Sequence, residues 1–262
     1  MKQLIKGLRE FQSNYFCKNL ELFEQLAHGQ HPRVLFITCS DSRVDPNLIT
    51  QTQPGDLFVI RNAGNIIPPF GATNGGEGAA VEYAIQALDI QQVVVCGHSH
   101  CGAMKGLLKL DSLEADMPLV HNWLKHAEAT RRLIKENYGG YEGEDLMEVT
   151  TAENVLTQID NLRTYPVIRS RLHQGKLRFY AWIYEIESGE VLAYDEERHA
   201  FVPPHGQLVD DGLIDKQPPI QVEKTAVNCP LPGQVSDRAS SSYTWLSAEQ
   251  ADRIYRGSAA AR

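Results

Sequence analysis

No stretch of the sequence approaches the ~20 consecutive apolar residues that a membrane-crossing helix needs, so no membrane partner is expected. The opening residues, MKQLIKGLREFQ, interleave charge with apolar side chains and lack the continuous apolar core of a secretory leader. Positive charge is also in short supply: 25 Lys and Arg stand against 33 Asp and Glu, a formal net charge of -8. A chain that binds polyphosphate through charge is basic, so nucleic acid is a poor expectation. Cysteine is sparse and scattered, with five residues at positions 17, 39, 96, 101 and 229. An odd, dispersed set is no disulfide framework and predicts a reducing, cytoplasmic setting. The glycines at 71, 75, 76 and 78 are not followed by Gly-Lys-Ser/Thr, which excludes a Walker phosphate loop and leaves close packing at a helix start.

What is present is an ordinary globular composition, 42% hydrophobic and 22% charged, enough for a sizeable core. Apolar residues from Leu4 to Leu26 recur at helical spacing and predict an N-terminal helical arm. Three short runs without alternation follow, RVLFITCS, DLFVIRN and QQVVVCGH, as expected of strands buried on both faces of a parallel sheet. A helix is predicted over Gly76–Leu88, further helices over Pro118–Asn137 and about Leu146–Leu172, and a hairpin through Ser188 and Gly189. The expected fold is α/β, a mostly parallel central sheet flanked by helices. Residues 1–200 form the expected catalytic domain. Residues 201–262 hold six of the 13 prolines and no sustained period, so they read as a C-terminal extension, partly disordered, with a short helix near Ser247.

Two strand ends carry the chemistry. CSDSR supplies Cys39, Asp41 and Arg43, and HSHCG supplies His98 and Cys101 at the next strand-to-helix turn. In a parallel sheet both finish at the carboxyl edge, where ligands bind. Two thiolates with one imidazole favour tetrahedral zinc, and three protein ligands leave a position open, as in catalytic sites. Asp41 and Arg43 suit a charge-assisted fork. Cys96 reads as core, Cys17 and Cys229 as incidental, and His100 as a surface histidine or one lying behind the ligands.

These motifs, with RNAGN at 61–65 and GAAVEYA at 78–84, closely resemble the β-class carbonic anhydrases, whose CSDSR and HxxCG segments stand apart as they do here. The likeness covers about residues 1–195. It implies one Zn2+ per subunit on Cys39, His98 and Cys101, and hydration of CO2 to bicarbonate and a proton by zinc-bound hydroxide. Asp41 would orient that hydroxide and Arg43 would hold Asp41, which in some members closes the site as a fourth ligand. Positions matching the substrate pocket of plant-like members are Gln30, Phe58, Ala63 and Tyr83. Phe36 stands where bicarbonate-inhibited members carry tryptophan, so that behaviour is not expected. The resemblance further implies a homodimer that assembles into larger oligomers. The long extension is similar to cyanobacterial carboxysomal forms, which implies docking to a shell or scaffold protein and a role in supplying CO2 for carbon fixation within the carboxysome. Two alternatives stand beside this reading: a zinc hydrolase of COS or CS2 on the same fold, and a non-catalytic zinc scaffold.

Overall fold

The continuous apolar runs of the sequence are the inner strands of one sheet. In the computed structural model, which describes residues 1–73 and 75–204, the strands are β1 (Val34–Cys39), β2 (Leu57–Asn62), β3 (Gln92–His98), β4 (Arg178–Tyr184), β5 (Val191–Asp195) and β6 (Ala200–Val202). They lie in the order β2-β1-β3-β4-β5-β6. The first four are parallel, and β5 and β6 return antiparallel. This is the expected α/β arrangement. The sixth strand lies past the point where the sequence pattern loses its register, and its three residues are too few to declare a period. The expected helix near Ser247 lies outside the described residues.

The helices are α1 (Lys2–Glu10), α2 (Leu20–Ala27), α3 (Pro46–Thr50), α4 (Gly76–Gln86), α5 (Gly102–Leu108), α6 (Pro118–Leu124), α7 (Glu128–Asn137), α8 (Gly143–Arg163) and α9 (Pro166–His173). Two departures from the predicted spans have local causes. The helix expected over Pro118–Asn137 tightens into a 3-10 turn at Lys125–Ala127. The one expected to run to Leu172 breaks ahead of Pro166, because a residue before proline is pushed out of the helical region; Tyr165 has ψ 127. No helix among the described residues is long and apolar enough to cross a membrane.

Two compact units are distinguished, one containing Met1–Gly29 and the other beginning at Gln30. In the first, α1 and α2 are joined by helical turns through Phe11–Asn19, and the rings of Phe11, Tyr15, Phe16 and Phe23 gather around one another. Cys17, read from the sequence as incidental among cysteines expected to stay reduced, is instead disulfide-bonded, which corrects that reading.

In the second unit one face of the sheet, with Leu35, Ile37, Val93 and Val95, packs against Val81, Ala84 and Ile85 of α4 and Val155, Ile159 and Leu162 of α8. Burying side chains of this size contributes about 1.5–3 kcal/mol each, so this layer dominates the unit's stability. The approach of α8 to β3 is close: a methyl group on Gly97 would stand 2.8 Å from Val155 Cγ2 and 2.9 Å from Thr151 Cγ2. A residue with no side chain therefore sits directly before His98, where the helix presses on the strand. On the other face of the sheet Phe36, Val94 and Cys96 are buried together. Burial pushes the Cys96 thiol up to about 12, so it is an inert core residue, as its place inside an apolar run predicts.

Candidate metal centre

Strand order sets the site. β1 is flanked by β2 on one side and β3 on the other, so the strand order reverses direction at β1. Such a switch point opens a crevice beyond the carboxyl ends of the two strands. Cys39 ends β1 and His98 ends β3. Cys101 follows one turn later, as the residue that opens α5. The Sγ atoms of Cys39 and Cys101 and a ring nitrogen of His98 all lie within 4.8 Å of one another. All three residues are buried, backed by Ile66, Met104, Leu107 and Leu124.

Their hydrogen bonding fits a dication. His98 Nδ1 lies 2.8 Å from the Ser99 carbonyl oxygen, which can only accept, so Nδ1 carries the proton. The Nε2 lone pair is left inside the cluster, and Nε2 has no hydrogen-bond partner despite its burial. Cys39 is the thiol that ionises first, because a hydrogen bond from Cys101, supported by the Gly64 N–H, lowers its pKa against the effect of burial. Cys101 is pushed far up, first by its hydrogen bond to that thiolate and then by burial. Binding of a cation by this pair would release the remaining thiol proton, since a thiol ligates as its thiolate. Two soft thiolates and one imidazole suit zinc chemically.

Asp41 sits beside the cluster and is held away from it. Its Oδ1 accepts from Arg43 Nε at 2.9 Å and from the Arg43 main-chain N–H at 3.0 Å, and its Oδ2 accepts from Nη2 at 2.9 Å. The Arg43 guanidinium holds the carboxyl far below the ordinary carboxylate range, so it is an acceptor at neutral pH. Asp41 Oδ2 stands 3.9 Å from His98 Nε2. Arg61 fastens the loop from below, donating to the Cys39 carbonyl at 3.0 Å and the Asp41 carbonyl at 2.7 Å.

Ala63 lies near the cluster, whereas Phe58 stands away from it within one chain. Ala63 directly follows Asn62, which is level with Cys39, and its carbonyl accepts from Trp123 Nε1 at 2.8 Å. Phe58 is level with Leu35, four residues before Cys39, which at about 3.3 Å per residue places it some 13 Å down the strand. Tyr83 of α4 stays with Phe58, ring centroids 6.0 Å apart, and is 49% exposed. Gln30 is exposed at the start of the unit.

A ladder of polar residues on α8 escaped sequence reasoning. Asn154 Nδ2 donates to the Gly64 carbonyl at 3.0 Å, Gln158 Oε1 accepts from Ile67 N at 2.9 Å, and Asn161 Nδ2 donates to the Ile67 carbonyl at 2.9 Å. These bonds fix the loop after β2, whose Gly64 N–H lies 3.4 Å from Cys39 Sγ. Leaving any such buried group unpaired costs about 1–3 kcal/mol, so the ladder specifies one loop conformation. The only signal available was the helical spacing of Asn154, Gln158 and Asn161, which reads equally well as a solvated face.

A thiolate–imidazole cluster at the switch point of a parallel sheet, with an arginine-held carboxylate beside it, defines a metalloenzyme-type centre in an α/β fold. The profile of the carbonic anhydrase family matches residues 34–191, and the chain belongs to that family, whose members interconvert CO2 and bicarbonate. It is 57% identical to the carbonic anhydrase of Synechocystis sp. over 98% of this chain and 100% of that protein. It is also 57% identical to the carbonic anhydrase of Synechococcus elongatus over 99% of this chain and 100% of that protein. The Pseudomonas aeruginosa carbonic anhydrase is 45% identical over 77% of this chain and 91% of that protein. Among solved structures, the β-carbonic anhydrase CcaA superposes with a TM-score of 0.77 at 69% identity, covering 78% of this chain and 99% of that chain. Tetrameric β-carbonic anhydrases from Sordaria macrospora superpose at 0.66 with 28% identity, covering 73% and 95%. The chain is thus a β-class member, as the motifs imply.

Proposed function

We propose that Cys39, His98 and Cys101 hold one zinc ion per subunit and that Asp41 and Arg43 direct CO2 hydration beside it. The observation that carries this is the convergence of two buried thiols on an unpartnered imidazole nitrogen. When bound, zinc supplies the Lewis acidity that makes water a nucleophile near neutral pH. The ionised Asp41 accepts a hydrogen bond from the attacking oxygen's O–H and so turns a lone pair toward CO2. Arg43 restrains Asp41 with two parallel bonds, which keeps that carboxylate an acceptor and stops it from ligating. The apolar residues behind the thiols keep the dielectric low and strengthen each of these interactions.

The substrate pocket is completed by a second copy of the chain in this proposal. Phe58 and Tyr83 lie far from their own Cys39, and β2 is an edge strand whose Val59 is exposed, so this side is available to a partner subunit presenting the same residues in return. The Sordaria relatives being tetrameric supports an oligomer. Gln30 is assigned the role of a hydrogen-bond donor to substrate oxygen, with Phe58, Ala63 and Tyr83 as the oily walls that a small apolar gas needs.

Hydrolysis of COS or CS2 is the competing activity on the same ligands. Stopped-flow comparison of the three substrates is expected to give turnover on CO2 far above the other two. Faster turnover of COS or CS2 would reverse the assignment. A purely structural zinc scaffold is disfavoured by the intact Asp41–Arg43 pair, for which a closed site has no use.

For residues beyond 200 we propose recruitment to a carboxysome shell or scaffold protein in the cytoplasm, so that CO2 is released where it is fixed. Alignment with the two cyanobacterial enzymes runs through this extension, whereas alignment with the Pseudomonas enzyme covers only 77% of the chain. A chain ending after residue 204 is expected to keep full zinc content and CO2 hydration within about twofold, because no proposed ligand or pocket residue lies beyond that point. Loss of zinc from the truncated protein would refute the separation.

A further inference from the structure

The turn between β3 and α5 is gripped from the end of the neighbouring parallel strand β4 by a residue that the hydration chemistry leaves unused. Glu187 lies in the connection between β4 and β5 and reaches this turn with both carboxylate oxygens. Its Oε2 accepts from Ser99 Oγ at 2.9 Å, and its Oε1 contacts His100 Nε2. Ser99 is held twice more: its Oγ accepts from Ile186 N at 3.0 Å, and its own N–H donates to the Tyr184 carbonyl at 3.0 Å.

Both partners of Glu187 lead into the metal centre. The Ser99 carbonyl takes the Nδ1 proton of His98, the bond that turns Nε2 toward the thiols. His100 is held at φ 52, a left-handed conformation that a residue with a Cβ rarely adopts without support. In that conformation its carbonyl accepts from Arg43 Nη2 at 3.3 Å, the same nitrogen that binds Asp41 Oδ2. Asp41, 3.9 Å from His98 Nε2, is near enough to become a fourth ligand once Arg43 releases it.

We propose that Glu187 is a positioning residue of the metal centre: by fastening Ser99 and His100 it aims the His98 ring and, through the His100 carbonyl and Arg43, keeps Asp41 off the metal. This rests on the zinc reading above. Partners behind a metal ligand fix its tautomer and orientation, and their removal lowers activity or affinity by about 10–100-fold. Glu187 is 56% exposed, so its truncation leaves no cavity in the core. A staple that merely tied the β4–β5 turn would change thermal stability without changing the coordination of the metal.

The test uses the full chain loaded with zinc or with cobalt, as wild type, Glu187→Ala and Glu187→Gln. Metal content, kcat, KM and the visible spectrum of the cobalt form are measured on each. Glu187→Ala is expected to bind one metal per chain, to lose about tenfold in kcat with KM nearly unchanged, and to show a cobalt spectrum altered by an added carboxylate ligand. Glu187→Gln, whose carboxamide still bridges a hydroxyl and an imidazole, is expected to recover most of kcat and the wild-type spectrum. Wild-type kcat and an unaltered spectrum in Glu187→Ala would overturn the proposal. So would failure of Glu187→Gln to recover either readout. A wild-type chain that takes up neither metal would instead overturn the zinc reading itself, and it is recognised before any substitution is made.

Discussion

Replacing Cys39 with Ser is expected to remove zinc and CO2 hydration together, leaving activity at the background of the uncatalysed reaction. In the proposed site zinc affinity depends on thiolates, and a serine hydroxyl does not ionise at neutral pH to provide an equivalent anion. The remaining pair, His98 and Cys101, cannot complete a tetrahedral set. The substitution is nearly isosteric and the residue is buried among Ile66 and Met104, so the sheet survives with only a small penalty. Metal analysis, stopped-flow hydration and circular dichroism on the same preparation separate the outcomes. A folded, zinc-loaded, active Cys39→Ser protein would show that Cys39 is not a ligand.

Asp41→Asn is expected to retain zinc and lose about 100-fold in kcat, the scale set by losing one positioned proton acceptor. Asn keeps the size and one oxygen acceptor, but its amide nitrogen is a donor. It cannot pair both edges with the Arg43 fork and still present a second acceptor to the attacking oxygen. The wild-type carboxylate is ionised throughout the neutral range because Arg43 lowers its pKa, so this loss is expected across that whole range. The measurement is kcat against pH for both proteins with zinc content recorded. A fully active Asp41→Asn enzyme would end the assigned role.

Much of this was readable from the chain. Continuous apolar runs ending in CSDSR and HSHCG announced buried parallel strands, and their positions at strand ends announced a shared edge. The apolar patterns carried the fold because both faces of β1 and β3 are covered, which removes alternation and leaves a distinctive run. Pairings across long stretches of chain were not legible. Glu187 lies 88 residues from Ser99 and looks like one acid in an acidic hairpin, IYEIESGE. The α8 ladder was hidden because buried and solvated amides share the same helical period. Phe58 and Tyr83 were identified by likeness, yet the place of Phe58 down β2 from Cys39 depends on strand register, which no single sequence prints.

Zinc-edge X-ray absorption on the purified wild-type chain at neutral pH tests the central claim most directly. Two sulfur neighbours with nitrogen and oxygen completing a four-atom shell are predicted, from Cys39, Cys101, His98 and solvent. A folded chain that stays free of zinc when offered it, or whose zinc has no sulfur neighbour, would contradict the account.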